Sequence, residues 1–422
     1  MPSLDPVQTN EREIFMDVLR GFAILGIFIA NLGTGFSWYN ENAKHTGPFL
    51  LLDWDPKMSF LHHMFIEGKF YSIFSLLFGW GIALQIKRGM ASGMNALPTI
   101  KRRLLFMLLL GFIHLLIWPG DIVFFYALVA FIFLPLYRFS NKALLITGGI
   151  LILSPILLYG LKMMIPDLNF PSEKLRQAGI WADIKLNPEF ADIKSEEEYL
   201  AIVKKAGWWQ IFKMNISGIF FRYSYLLFVS RIPKVLGMFL IGYVIGRSDF
   251  YKNITQHRKW VIGIIIGGFV LGLPANYFLA QYISTAMGDY FQLKQKGMYQ
   301  TIAYAIGVVP LALAYVGLFM LAFKTNAGNK LMSLVAPVGK MAFSNYVMQS
   351  LIGNFVFLPA GLGYFGQVGP VYYTLFGIGI FILQIICSTI WLRYFNFGPV
   401  EWIWRSATYN KWQPLRKTGS GN

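Results

Sequence analysis

Cysteine is almost absent: Cys387 is the only one in 422 residues, so no intramolecular disulfide can form. Charge is scarce too. Asp, Glu, Lys and Arg make up 14% of the chain against 56% hydrophobic residues, which excludes a soluble protein of two or three domains. Acids are scarcer than bases, 20 against 37, leaving a formal charge of +17. Such an excess can mark a nucleic-acid binder. Here, however, the Lys and Arg residues cluster in short connectors between apolar runs, so nucleic acid is not an expected partner. No internal repeat, low-complexity tract or Pro/Ser-rich linker divides the chain. The first apolar run exceeds a signal-peptide core, its leader holds Asp5, Glu11 and Glu13, and no small-residue cleavage site follows. It is expected to remain as an anchor.

What is present is aromatic and apolar, with 38 Phe, 22 Tyr and 12 Trp, and several runs exceed the roughly 20 residues that cross a bilayer. The pattern predicts an all-α, polytopic membrane bundle of about 10 helices. The spans fall near 15–36, 58–86, 102–118, 121–137, 143–165, 231–247, 260–282, 300–323, 341–358 and 371–395. Residues 1–14 form a tail and 15–396 a single transmembrane domain. Within it an outer connector of about 40 residues, 166–207, reads as a small cap. Residues 208–230 read as an interfacial amphipathic helix, because Lys213 and Arg222 interrupt an aromatic run. Residues 397–422 form an interfacial helix and tail. The bases Lys87, Arg88, Lys101 to Arg103, Arg138, Lys142, Arg247, Lys252, Lys324, Lys330, Lys340 and Arg405 then fall on one side. That places both termini in the cytosol of a bacterial cytoplasmic-membrane protein.

Polar groups within the spans carry the chemical expectations, because ionisable side chains facing lipid are costly and normally find a partner or a wet cavity. In the first span Arg20 lies about 60° round the helix from Asp17, with Asn31 between them in angle and roughly 21 Å beyond Asp17. Asp17 and Arg20 fit either a structural staple or the inner end of a site. His63 and Glu67 share a face at i,i+4, with Lys69 pointing away. Two such groups without a third do not make a metal site, and no metal is expected. Gly79 and Gly81 read as close-packing positions. His114, eleven residues past Arg103, returns to within about 20° of that face some 16 Å deeper. Asp121, after the Pro119-Gly120 turn, can fold back to orient its imidazole as a general base; the alternative is a hydrogen-bonded packing histidine. Arg20, Arg102 and Arg103 make a basic inner mouth suited to a phosphorylated cytosolic anion. Ser344, Asn345 and Gln349 read as interhelical hydrogen-bonding groups. Glu401 and Arg405 form an i,i+4 pair on a short helix that would lie as a lid over the mouth.

The stretches REIFMDVLRG (Arg12–Gly21), KFYSIFSLLFGWG (Lys69–Gly81), R-x7-G-x-x-H-x6-D-I (Arg103–Ile122), APVGKMAFSNYVMQS (Ala336–Ser350) and FGPVEWIWRSATYNKWQPLR (Phe397–Arg416) resemble the YeiB-like family of bacterial integral-membrane proteins. The resemblance covers nearly the whole chain. The first helix is also similar to that of heparan-glucosaminide N-acetyltransferase and of bacterial membrane O-acyltransferases of sugars. Those relatives imply an acyltransferase that moves an acyl group from cytosolic acyl-CoA to an envelope acceptor, a glycan or lipid hydroxyl or amine. Arg20, Arg102 and Arg103 would then hold the CoA phosphates, His114 and Asp121 would act on the acceptor, and Asn31 would donate to the oxyanion. Where the O-acyltransferases carry a histidine near the end of the first helix, this chain has Asn31. The histidine role therefore falls to His114, ahead of His45 and His63. Membrane lipids and the acceptor are the partners this reading admits, with self-association into a homo-oligomer left open. The same polar track would equally serve a transporter or lipid-precursor flippase, and the Asp17–Arg20 staple a purely structural protein.

Overall fold

The computed structural model describes residues 13–39, 47–193, 195–248 and 250–417. Among these residues every regular element is a helix, and two isolated bridges, Phe49 to Val368 and Phe395 to Arg416, tie loops together. The first half holds α1 (Ile14–Asn31, prolonged by a π-helical turn Leu32–Ser37), α2 (Asp55–Phe65), α3 (Lys69–Ala91), α4 (Leu97–Ile117), α5 (Val123–Phe133) and α6 (Asn141–Met164). A cap of α7 (Phe170–Leu186) and α8 (Glu196–Val203) follows. Then come α9 (Trp208–Phe228), α10 (Arg231–Arg247), α11 (Arg258–Phe291) and α12 (Gln295–Phe323). The short α13 (Asn326–Ser333) and α14 (Ala336–Lys340) lead into α15 (Ala342–Phe357), α16 (Pro370–Tyr394) and α17 (Pro399–Tyr409).

Six helical stretches among the described residues are long and apolar enough to cross a membrane, or seven if the bent pair α9–α10 counts as one. The ten segments read from the sequence fall on helices, the second, 58–86, running across both α2 and α3. However, α5 and α15 have only 11 and 16 residues, and α4 carries Lys101, Arg102 and Arg103 in its first turns. The cap arises where the sequence turns polar, and α7 lies on α9 through hydrogen bonds between Ser172 and Ser224.

In hydrocarbon, helices associate by close packing rather than by hiding apolar surface from water, so small residues mark the seams. Gly79 lies on the backbone of Phe239 and Gly242 on that of Leu76, locking α3 to α10. Gly339 sits on the Asp17 carbonyl, bringing α14 against α1. Gly81 differs from its sequence reading: it faces open space, where an added Cβ would meet only Arg20 Nη2, at 3.9 Å.

Two chain breaks shape the far end of the bundle. Gly68, with φ +83°, separates α2 from α3, and Ser230, with φ +52°, separates α9 from α10. The second break bends the chain by 71°, so α9 turns away instead of prolonging α10. Lys162 Nζ supports the bend by donating to the carbonyls of Leu227 (3.3 Å) and Phe228 (2.8 Å) at the end of α9. Lys213 of α9 likewise caps α7 at the Leu186 carbonyl, 2.8 Å away.

Candidate functional site

A cavity of about 540 Å³ opens between α1, α3, α4, α14, α15 and α17. Its lining holds seven Lys or Arg residues and two glutamates. Arg20, Lys87, Arg88, Arg103, Lys340 and Arg405 are among the bases, while Lys252 pairs with Glu13 at 3.7 Å. Deeper in, the wall becomes apolar, with Ile24, Ile27, Phe74, Phe78, Leu104 and Met107. Basic groups at one end and hydrocarbon at the other suit an amphiphile with an anionic head.

The C-terminal helix closes this space. Glu401, Trp404, Arg405, Thr408 and Tyr409 of α17 all line it. Trp404 donates its indole N–H to the Arg103 carbonyl (3.0 Å) and stacks under the Arg103 guanidinium at 4.4 Å. The expected Glu401–Arg405 pair gives way to a different arrangement. Glu401 accepts the N–H groups of Phe343 (2.6 Å) and Ser344 (3.1 Å) and the Ser344 hydroxyl, anchoring α17 to the start of α15. Burial pushes the Glu401 carboxyl above its ordinary value, and the bonds from Ser344 and Phe343 act against that shift.

At the cavity's inner end stand Ile122 and Tyr346. The Tyr346 oxygen accepts the Ile122 N–H at 3.3 Å, and its ring centre lies 5.1 Å from that of His114. His114 and Asp121 come together as the turn demands: Asp121 Oδ2 is 2.7 Å from His114 Nδ1, and Oδ1 accepts the Phe124 N–H at 2.7 Å. The carboxylate thus caps the first turn of α5 while it orients the ring. Gly111 allows this, because it lies directly on the Phe124 backbone and lets α4 and α5 approach. Both side chains are buried, and His114 Nε2 has no hydrogen-bond partner. With Asp121 as acceptor at Nδ1, the network assigns the proton there and leaves the Nε2 lone pair available.

The remaining sequence candidates scatter. Arg20 pairs with Asp17 at 2.8 Å and lines the cavity beside Arg103. Arg102 does not line it: one position round the helix, it is exposed and donates to the Thr408 carbonyl at 3.3 Å. Asn31 is half-buried at the end of α1 and neither lines the cavity nor bonds to His114 or Asp121. Glu67 pairs with His63 at 2.5 Å. Lys69 does not point away from them, because the Gly68 break folds it back onto the His63 carbonyl at 2.6 Å. Asn345 bonds to Ser388, and Gln349 to Gln384, joining α15 to α16. His45, Glu11 and Arg12 lie outside the described residues.

Sequence reasoning missed Arg222 and Tyr223. On α9 both have buried polar atoms without a hydrogen-bond partner, and Arg222 lies within electrostatic reach of Tyr346 and Arg231. The Tyr223 ring meets that of Phe124 edge-on at 6.0 Å. The sequence signal, a charged aromatic run, was equally that of a surface helix.

The chain is similar over its full length to proteins of bacteria. It is 31% identical over 423 residues to "Uncharacterized protein YxaH" of Bacillus subtilis (strain 168), covering 99% of both chains. The identity to "Uncharacterized protein YeiB" of Escherichia coli (strain K12) is 29% over 415 residues, 94% of this chain and 96% of the relative. "Uncharacterized 39.9 kDa protein in amylase 3'region" of Bacillus acidopullulyticus is 27% identical, covering 98% of both. It belongs to the YeiB-like family. The model of that family, "Protein of unknown function (DUF418)", matches residues 245–411. In this YeiB-like protein the matched segment supplies one wall of the cavity, including Lys340, Tyr346, Glu401 and Arg405, whereas His114 and Asp121 lie before it. No solved structure matches the chain.

Proposed function

We propose that this YeiB-like protein is an integral-membrane acyltransferase that takes an acyl group from acyl-CoA at the basic cavity and passes it to an envelope glycan or lipid. The supporting observation is a basic-mouthed, apolar-walled cavity that ends one side chain short of an oriented His–Asp dyad with an unused Nε2. The CoA phosphates meet Arg20, Lys87, Arg88 and Arg103, and the pantetheine and acyl portions run along Phe74, Phe78 and Met107 towards Tyr346. The Tyr346 ring turns aside to join the cavity to His114. His114 Nε2 then takes the proton of the acceptor hydroxyl or amine as that atom bonds to the thioester carbonyl carbon. Tyr346 donates to the developing oxyanion, a role the cavity offers it more directly than Asn31. The C–S bond breaks, and the imidazolium returns its proton to the CoA thiolate. With the basic mouth in the cytosol, the acceptor approaches from the opposite face.

The test is transfer of labelled acetyl from acetyl-CoA into envelope glycan or lipid. His114→Ala should reduce transfer by about 10²–10⁴-fold, the usual contribution of a positioned base. Equal transfer by both proteins would remove His114 from the mechanism.

A second reading, transport or lipid flipping along the same track, draws on the breaks at Gly68 and Ser230, since discontinuous helices frame many transporter sites. Substrate accumulation in proteoliposomes lacking acyl-CoA would favour it.

A further inference from the structure

A second polar cluster lies at the opposite end of α3 and α10 from the basic cavity, and none of its residues lines that cavity. The breaks at Gly68 and Ser230 place Lys69 and Arg231 at the starts of two long helices that pack side by side along the Gly79 and Gly242 seam. Arg231 donates to the hydroxyls of Tyr71, at 2.5 Å, and Tyr304, and its guanidinium stands 4.7 and 5.5 Å from their ring centres. One turn on, Lys234 Nζ approaches the same rings, 3.5 Å from Tyr304 and 5.1 Å from Tyr71. Lys234 is only 2% exposed, and its ammonium has no hydrogen-bond acceptor. Lys69 is fully buried and gives one donor to His63. Glu67, a carboxylate within electrostatic reach of Lys69, Arg231 and Lys234, is held by His63, and its side chain is 42% exposed at the rim.

Arg231 and Lys234 therefore converge on two phenols, with Lys69 within electrostatic reach of Lys234, so that three bases face the carboxylate of Glu67. In a low-dielectric setting they repel one another, and a buried ammonium without an acceptor is unfavourable; the cation–π contacts offset only part of that. An anion completes the set, and the two helix starts add the positive ends of their dipoles. The Tyr71 and Tyr304 oxygens lie 2.5 Å apart, so one phenol proton bridges them and the other is left for a ligand. Three cations and a hydroxyl donor match a tetrahedral oxyanion better than a two-oxygen carboxylate. Arg231, Tyr71 and Tyr304 are each partly exposed, so the site can be reached.

We propose that these two breaks form a binding site for a phosphate group, carried by a lipid headgroup or by a soluble phosphate ester, held by Lys234, Arg231 and Lys69 beside Tyr71 and Tyr304. The site stands independently of acyl transfer. The experiment measures binding of inorganic phosphate to the full chain in phosphatidylcholine nanodiscs by calorimetry. A second arm measures retention of phosphatidic acid from mixed vesicles by native mass spectrometry. Phosphate binding alone identifies a soluble ester as the source, and lipid retention identifies a headgroup. Lys234→Met should weaken whichever probe binds by about tenfold or more. Tyr304→Phe, which keeps the ring and its packing, should weaken it in the same direction, and Lys185→Gln, at an exposed position of α7, should leave it unchanged. Wild type that binds neither probe, or Lys234→Met and Tyr304→Phe proteins that bind as wild type does, would overturn the proposal.

Discussion

His114 and Asp121 are seven positions apart, and a Pro-Gly turn between them brings a buried carboxylate to 2.7 Å from an imidazole. Asp121 has two tasks, orienting the ring and capping α5, and they separate by substitution. Asp121→Asn should keep the cap to Phe124 and most of the stability while lowering acyl transfer at least about tenfold, through loss of the oriented tautomer. Asp121→Ala should also lower stability by about 1 kcal/mol for the missing cap, read by thermal or denaturant unfolding in detergent. Glu401 is the titrating counterpart. Its folded pKa is raised by burial, so the folded state prefers the neutral carboxyl. Its contribution is therefore fully present below the ordinary value of 4.5 and is lost as pH rises through the raised folded value. Relative to Glu401→Gln, which does not titrate, the wild-type thermal midpoint should fall over that upward pH interval. A midpoint difference that stays constant with pH would contradict this.

Glycine contacts decide which helices meet. A Cβ at Gly111 would strike the Phe124 backbone, which cannot yield as a flexible side chain can. Gly111→Ala should therefore push α4 from α5, cost about 1–3 kcal/mol of stability and separate the dyad, so that activity falls further than stability accounts for. Gly81→Leu should behave oppositely. Its side chain enters the open cavity near Arg20, so acyl-CoA binding should weaken while the thermal midpoint holds. Much of the element pattern was legible from apolar run length alone. The breaks were not. A glycine at position 68 and a serine at 230 carry no helix-ending signal strong enough to outweigh the apolar residues around them. Their positive φ values arise because the neighbouring helices hold the chain there. Lys69 was misplaced for this reason, since a side chain's face can be read from spacing only while the helix is continuous.

At the scale of the molecule, α1, α3 and α4 from the first half and α14, α15 and α17 from the second enclose one cavity, with the base-rich connectors gathered at its mouth. Those bases predict the orientation, which can be checked directly. With Cys387 replaced, a single cysteine at exposed position Lys57 should react with a membrane-impermeant maleimide in intact cells, and one at Lys411 only after permeabilisation. The reverse pattern would turn the cavity outward and end the acyl-CoA reading.

Run length, charge placement and local spacing were enough, from the sequence by itself, to determine an all-helical membrane chain and its YeiB-like resemblance. They also paired Asp17 with Arg20, His63 with Glu67 and His114 with Asp121, because each of those contacts lies within one helix or one tight turn. Tertiary structure decided which arginine of the adjacent pair 102 and 103 faces the cavity. It also decided that Tyr346 rather than Asn31 stands at the cavity's end, and that Arg231 and Lys234 meet Tyr71 and Tyr304. Those choices depend on the rotation of one helix against another, set by backbone contact at glycines hundreds of residues apart, and no local spacing encodes it.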